Sequence, residues 1–387
     1  MSSRLIRLLI FTTLVLIALA PAGVLASGSD EFYLKLPTGI PADLWSYFVP
    51  RDNALTPAKI ELGRQLFFDP LLSADASVSC ATCHDPRHAF TDGRKTAVGI
   101  ANRKGARNTP TILNAMFNST MFWDGRAASL EEQAILPLVN ADEMGNASHE
   151  QVVKRIAAVP AYATQFQTVF GTEVTTASLA KAIAAYERTL VSGNAPLDRF
   201  LAGDRNAISE AAQRGLILFR TRARCTVCHN LNTSFPFLTD GNYRNTGVAA
   251  NFSGFAALTR LATNSQDTES ANQRLSARAT LRKQEGAAEL GRFLVSEDAL
   301  DVGAFRTPSL RNVELTAPYF HDGSAATLAD VIRFYNQGGN ANTNRDWELQ
   351  AINLTEAEQQ DLLEFLKCLT SDDARQQSSQ TRRADNK

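Results

Sequence analysis

Cys80-Ala81-Thr82-Cys83-His84 decides how the rest of the chain is read, and the pattern returns once as Cys225-Thr226-Val227-Cys228-His229. Cys-x-x-Cys-His is the attachment spacing of a c-type haem. Two thiols three positions apart can each bond a vinyl group of one porphyrin, and the adjacent imidazole is then held beneath the iron. A zinc knuckle or a structural disulfide is the alternative for a single copy. Two copies, each with the His directly after the second Cys, in a chain that reads as exported, point to two covalent haems. No βαβ pattern flanks either copy, which disfavours a thioredoxin-like dithiol. The fifth cysteine, Cys368, falls on an apolar C-terminal helix and reads as a buried free thiol.

Residues 1–26 read as a signal peptide: Arg4 and Arg7, an apolar run Leu8–Ala20, then Val24-Leu25-Ala26 as a small-residue cleavage site. An uncleaved anchor is the alternative, but the run is short for a bilayer and Pro21 and Gly23 follow it. No other stretch is apolar enough to span a membrane, so the expected location is the periplasm. The 387 residues suffice for two domains, and a net charge of −1 carries no nucleic-acid footprint. Loss of Arg4 and Arg7 with the leader makes the mature surface more acidic, which suits a basic redox partner.

Thr56-Pro57 opens a helix, with Thr as N-cap and Pro in the first turn. Ser129/Glu132, Ser148/Gln151, Thr327/Asp330 and Thr355/Glu358 have capping-box spacing. Strand patterns are confined to short isolated pieces, so the expected fold is all-α. The expected divisions are an N-terminal haem domain at 27–200, a C-terminal one at 201–370 and a disordered polar tail at 371–387. The two halves look duplicated. Leu62-Gly63-Arg64-Gln65-Leu66-Phe67 pairs with Arg214-Gly215-Leu216-Ile217-Leu218-Phe219, and Asn108-Thr109-Pro110 with Arg306-Thr307-Pro308. Trp123 and His321 each lie 13 positions past that Pro, in matching aromatic loops. Extra sequence around Asn251–Leu294 has no counterpart in the first half.

Duplication makes a statement about ligands. Twenty-seven positions past the shared Pro stand Pro137 and Tyr335. Pro137 has no donor atom for iron, whereas Tyr335 offers a phenolate. One iron should be open and the other closed. Glu143, whose counterpart is Ala341, adds a carboxylate only to the first half. Peroxide cleavage needs a group that takes a proton from the near oxygen and returns it to the leaving one; a solvated loop acid is the plainer alternative.

On these motifs, with Phe122-Trp123-Asp124-Gly125-Arg126, Glu143-Met144, Leu310-Arg311-Asn312 and Pro318-Tyr319-Phe320-His321-Asp322-Gly323, the chain strongly resembles the bacterial dihaem cytochrome c peroxidase family, which includes MauG, over roughly Thr56 to Leu369. The resemblance implies two cytochrome c-like domains, with His84 as proximal ligand of a peroxidatic haem and His229 as that of an electron-transfer haem. It implies Gln133, Pro137 and Glu143 as distal pocket, Glu143 as acid and base, and Trp123 as the aromatic between the haems. It further implies a calcium ion held by Asn108, Thr316 and Pro318, the last two through backbone oxygens.

Three departures from the family refine this. The switch His of typical members, 16 residues after the proximal His, is Ile100 here, which cannot bind iron. Four residues after His84, His88 is badly placed to replace it and reads as a loop residue; His149 heads a helix with no motif around it. Tyr335 falls where those peroxidases carry Met, and Tyr is the MauG pattern, favouring higher oxidation states. The surface Trp that MauG uses two residues before its second motif is Ala223. The expected function is a periplasmic dihaem peroxidase that reduces hydrogen peroxide with electrons from a small cytochrome c or cupredoxin. Oxidative modification of a partner protein and non-catalytic electron transfer are the alternatives.

Overall fold

The computed structural model describes residues 34–266 and 270–385. The expected signal peptide at 1–26 lies outside them. Among the described residues no helix is long and apolar enough to cross a membrane. The described chain is mainly helical, and among the described residues one two-stranded ladder pairs Tyr243–Arg244 antiparallel with Phe305–Arg306.

Each half is built on a crossed pair of helices. Pro57–Phe68 starts where the Thr56 hydroxyl accepts the Lys59 N–H, and Thr176–Glu187 starts at a Thr175/Ser178 capping box. These two cross at Gly63, where a Cβ would lie 1.9 Å from the Ala182 carbonyl oxygen. In the second half Glu210–Arg220 crosses Glu356–Lys367 at Gly215, where a Cβ would lie 2.0 Å from the Asp361 oxygen. Only a glycine lets the backbones approach this closely. Around the first crossing Leu62, Leu66, Phe67, Phe166 and Ile183 form one core; around the second, Leu216, Phe219, Leu362 and Phe365 form another.

The capping expectations hold for Thr327/Asp330 and Thr355/Glu358. Ser129 caps Glu132 N–H, but the Glu132 carboxylate turns to Ala128 N–H instead of closing the box. Ser148 makes no side-chain cap bond.

Leu197 and Phe200, on the Pro196–Leu201 helix just before the expected division at 200/201, pack into the second core. Two expectations need correction. The tail at 371–387 is not structureless: its described part is the helix Asp372–Asp385. Ser371 N–H, bonded to Asn312 Oδ1 at 3.0 Å, ties its start to the second half, and Ala374 is buried. Cys368 is half-buried, its thiol donating to the Glu364 carbonyl at 3.3 Å.

The segment around Asn251–Leu294 forms a third, smaller core. Phe255 and Leu258 from helix Phe255–Asn264 pack there with Leu290, Phe293, Val302 and Phe305, and Trp123 closes its edge.

Matching offsets carry matching backbone. Asn114 and Asn312, Phe122 and Phe320, and Gly125 and Gly323 all have positive φ, and bridges join Met121 to Ala127 and Tyr319 to Ala325. The halves meet reciprocally. Asn108 N–H donates to His321 O at 2.7 Å, and Arg306 N–H donates to Trp123 O at 2.8 Å.

Candidate haem-binding and catalytic site

Cys80–Cys83 forms one helical turn, capped by a Ser79/Thr82 box, which sets both thiols and the following imidazole on one short segment. His84 Nδ1 lies 3.1 Å from Phe90 O, and His229 Nδ1 lies 2.9 Å from Leu238 O. A carbonyl only accepts, so each Nδ1 carries the proton and each Nε2 is left as the ligand atom. Burial holds both imidazoles below their ordinary pKa, hence neutral and able to bind metal. All four motif thiols are free of disulfides, and burial pushes Cys83 and Cys225 up to about 12. Free paired thiols beside an oriented neutral imidazole fit a covalent haem at both motifs.

Around the first motif stands Glu143. Its carboxyl accepts Asn140 Nδ2–H at 2.8 Å and lies within electrostatic reach of the Cys83 thiol. Burial raises its pKa above the usual carboxylate value of 4.5, Asp142 adds to the rise, and Arg126 and the Asn140 bond oppose it. Ile100 borders the same place: its N–H donates to Glu143 O at 2.8 Å, and its side chain reaches to within 3.1 Å of where a Cβ on Gly145 would stand. The position of the missing switch His therefore adjoins Glu143. Gln133 lies within the short helix Leu130–Ile135, and Pro137 begins the next turn, Pro137–Val139. His149 and His88 lie elsewhere. His149 Nε2 donates to Ile135 O at 2.9 Å, and His88 Nδ1 lies 3.7 Å from Asp85 in the turn after the motif.

Around the second motif stands Tyr335, on the helix Leu328–Asn336. Its phenol pKa is raised by burial first and then by the Cys228 and Cys225 thiols, which places the buried phenol within electrostatic reach of the second motif. Tyr319, the rival, is turned away and donates to Val313 O at 2.9 Å.

Trp123 Nε1–H donates to Asn108 O at 2.9 Å, which holds the indole at the joint between the halves. The Asn108 side-chain Nδ2–H donates to Arg94 O at 2.8 Å, leaving its Oδ1 as the atom able to ligate a cation. Thr316 Oγ1 donates to Val313 O at 3.2 Å, and the Ala317-Pro318 peptide is cis.

Sequence reasoning passed over Arg126, whose guanidinium lies 3.5 Å over the Phe122 ring and within electrostatic reach of Glu143. It also missed Asn140, three residues before Glu143, a spacing that a loop hides. Glu187 escaped notice too: 4% exposed, beside Cys80, and pushed up to about 8 by burial. Its neighbour Arg188, in bidentate contact with Glu131, only partly offsets that.

The family model for di-haem cytochrome c peroxidase matches residues 57–206. Methylamine utilization protein MauG of Methylorubrum extorquens is 37% identical over 329 residues, 84% of this chain and 82% of that protein. The chain belongs to the di-haem cytochrome c peroxidase family. Cytochrome-c peroxidase IdrP1 of Pseudomonas sp. strain SCT is 36% identical over 325 residues, 83% of each chain. The crystal structure of a MauG-like protein associated with microbial copper homeostasis superimposes with a TM-score of 0.69 at 32% identity, over 84% of this chain and 93% of that one. Family membership makes the chain a cytochrome c peroxidase-like oxidoreductase that carries two c-type haems.

Proposed function

We propose that this protein is a periplasmic peroxidase that reduces hydrogen peroxide at the Cys80/Cys83/His84 site, with electrons delivered through the Cys225/Cys228/His229 site. The carrying observation is the contrast between the two sites. Glu143 and the aliphatic Ile100 adjoin each other within electrostatic reach of Cys83 in the first, whereas the buried Tyr335 phenol lies within electrostatic reach of both thiols of the second. A haem held by Cys80, Cys83 and His84 would supply the peroxide-binding and redox chemistry of this site. The Glu143 carboxylate takes the proton from the near peroxide oxygen and returns it to the leaving one, and Gln133 orients the oxygens by hydrogen bonding. Asn140 holds that carboxylate in place. Trp123, fixed through Asn108 at the joint, carries electrons between the sites. Asn108 Oδ1, with backbone oxygens of Thr316 and Pro318, would hold a calcium ion that braces the same joint. The matched Gly63/Gly215 crossings and reciprocal 108–321 and 123–306 bonds support two cytochrome c-like domains that arose by duplication. The electron donor on this reading is a small cytochrome c or cupredoxin.

Tyr335 favours a second reading, oxidative modification of a partner protein, because a phenolate ligand steadies higher oxidation states. A covalent change in a partner after peroxide treatment would separate it from simple oxidation of a reduced donor.

An EPR spectrum of the ferric protein as isolated tests both ligand assignments. One high-spin and one low-spin haem, with peroxide turnover needing no prior reduction, is the expected outcome. Two low-spin haems would sink the open-site reading.

A further inference from the structure

Trp347 is held in solvent. Its side chain is 74% exposed in the loop between the helices Leu328–Asn336 and Glu356–Lys367. Single exposed apolar residues are ordinary, but the segment that carries this one is pinned on both sides, on one of them to the residue that precedes the second haem motif. Asp346 pairs with Arg244 at 2.9 Å, and Arg244 also holds Asp240 at 2.8 Å. Glu348 pairs with Arg224, the residue immediately before Cys225. The backbone is fixed as well: Asp346 N–H donates to Asn245 O at 2.9 Å, and Trp347 O accepts Gln350 Nε2–H at 2.8 Å. The Glu348–Arg224 pair brings that carboxylate next to Cys225, and Asp346 and Glu348 both lie within electrostatic reach of the Cys228 thiol. Val227, inside the motif, is 41% exposed. An oxidisable indole is thus presented to solvent beside the covalent edge of the second site, on a loop that two ion pairs keep from swinging away.

We propose that Trp347 is the surface electron-transfer residue of the second haem site, through which a small one-electron metalloprotein delivers its electrons. The inference rests on the peroxidase reading. In each step one electron leaves the indole for the site that peroxide has oxidised, and the resulting radical cation can release its N–H proton to water. The reduced metalloprotein then returns one electron to the indole, and the proton is taken back from water. Two such steps, with two protons, convert one hydrogen peroxide to two waters.

The test uses the full-length holoprotein, Trp347→Phe and Trp347→Tyr. Ferric protein is mixed with hydrogen peroxide without reductant, then examined by rapid-freeze EPR and by peptide mass spectrometry. Wild type is expected to give an organic radical signal and oxygenation at residue 347. Phe should abolish both, while Tyr keeps a radical of tyrosyl character. Re-reduction by reduced cytochrome c after peroxide should slow about ten-fold in the Phe variant and recover within about two-fold in the Tyr variant. A merely structural role would move neither the radical nor the Tyr rescue. Unchanged re-reduction in the Phe variant, or no oxidation at residue 347 in a wild type that does react with peroxide, overturns the proposal. A wild type whose haem spectrum peroxide does not change overturns the peroxidase reading, and this inference with it.

Discussion

On the proposed reading, Glu143 acts through where its carboxyl is held. A solvated glutamate would be ionised at any pH at which the protein works and a poor proton donor to a leaving oxygen. Burial raises the Glu143 pKa, which brings the acid form closer to working pH, while Arg126 and Asn140 keep the ionised form accessible. Replacing Glu143 by Gln is expected to lower kcat/KM for peroxide about 10²–10⁴-fold with both haem absorption bands retained, as steady-state assays and spectra of the same sample will check. The pH dependence has a definite sign. The group must start as carboxylate, so the rate should fall as pH drops through its pKa. That limb should lie above the usual 4.5 and should vanish in the Gln variant. A rate profile flat across that range in wild type would leave the plainer reading, a loop acid with no part in turnover. The residue-scale content of the site was legible unevenly. Cysteine spacing is fixed by covalent chemistry and can be read directly, as at Cys80 and Cys225. Arg126 and Asn140 reach Glu143 only because a loop folds back, and no spacing encodes that.

At the scale of elements, the two helix crossings are the most constrained contacts in each half. An alanine at Gly63 or Gly215 would gain helix propensity worth about 0.5–1 kcal/mol. Against that, its methyl would sit about 2 Å from a backbone oxygen that a helix cannot move cheaply. The steric cost wins, and each substitution is expected to destabilise the holoprotein by about 1–3 kcal/mol in denaturant unfolding. A neutral or stabilising Gly→Ala at either position would mean that the crossing is looser than drawn. The glycines were visible in the sequence as a repeated position, and the helix starts were visible because caps are local: Thr56, Thr327 and Thr355 act within three residues of themselves. What composition hid was long-range. Polarity made 371–387 look unfolded, yet its helix starts from Ser371 N–H held by Asn312, far away in sequence. Leu197 reads as part of the N-terminal domain because the residues it clusters with, Leu216 and Leu238 among them, come later in the chain. The third core was equally hidden, since helix Ala271–Leu281 leaves Leu275 exposed and so blurs the helical period.

For the molecule as a whole, the question is what keeps two similar halves in one arrangement. Apolar packing alone tolerates sliding, whereas buried hydrogen bonds have one geometry. The described chain supplies such bonds at equivalent positions. Asn114 donates to Ser192 O at 3.0 Å and accepts Ser192 N–H at 2.9 Å. Asn312 donates to Ser192 Oγ at 2.9 Å and accepts Ser371 N–H at 3.0 Å. The two serine hydroxyls then meet at 3.0 Å. All four residues are buried, so water cannot replace a lost partner. Asn114→Ala and Asn312→Ala should each cost about 1–3 kcal/mol, because each strands buried groups. The two costs should not add. Both asparagines act on Ser192, so once one is gone the serine is already loosened and the second loss matters less. A double-mutant cycle in denaturant is expected to show the pair costing at least about 0.5 kcal/mol less than the sum of the singles. Simple additivity would mean that Ser192 stays fixed by its own backbone, and that the halves are aligned instead by the 108–321 and 123–306 bonds that flank Trp123.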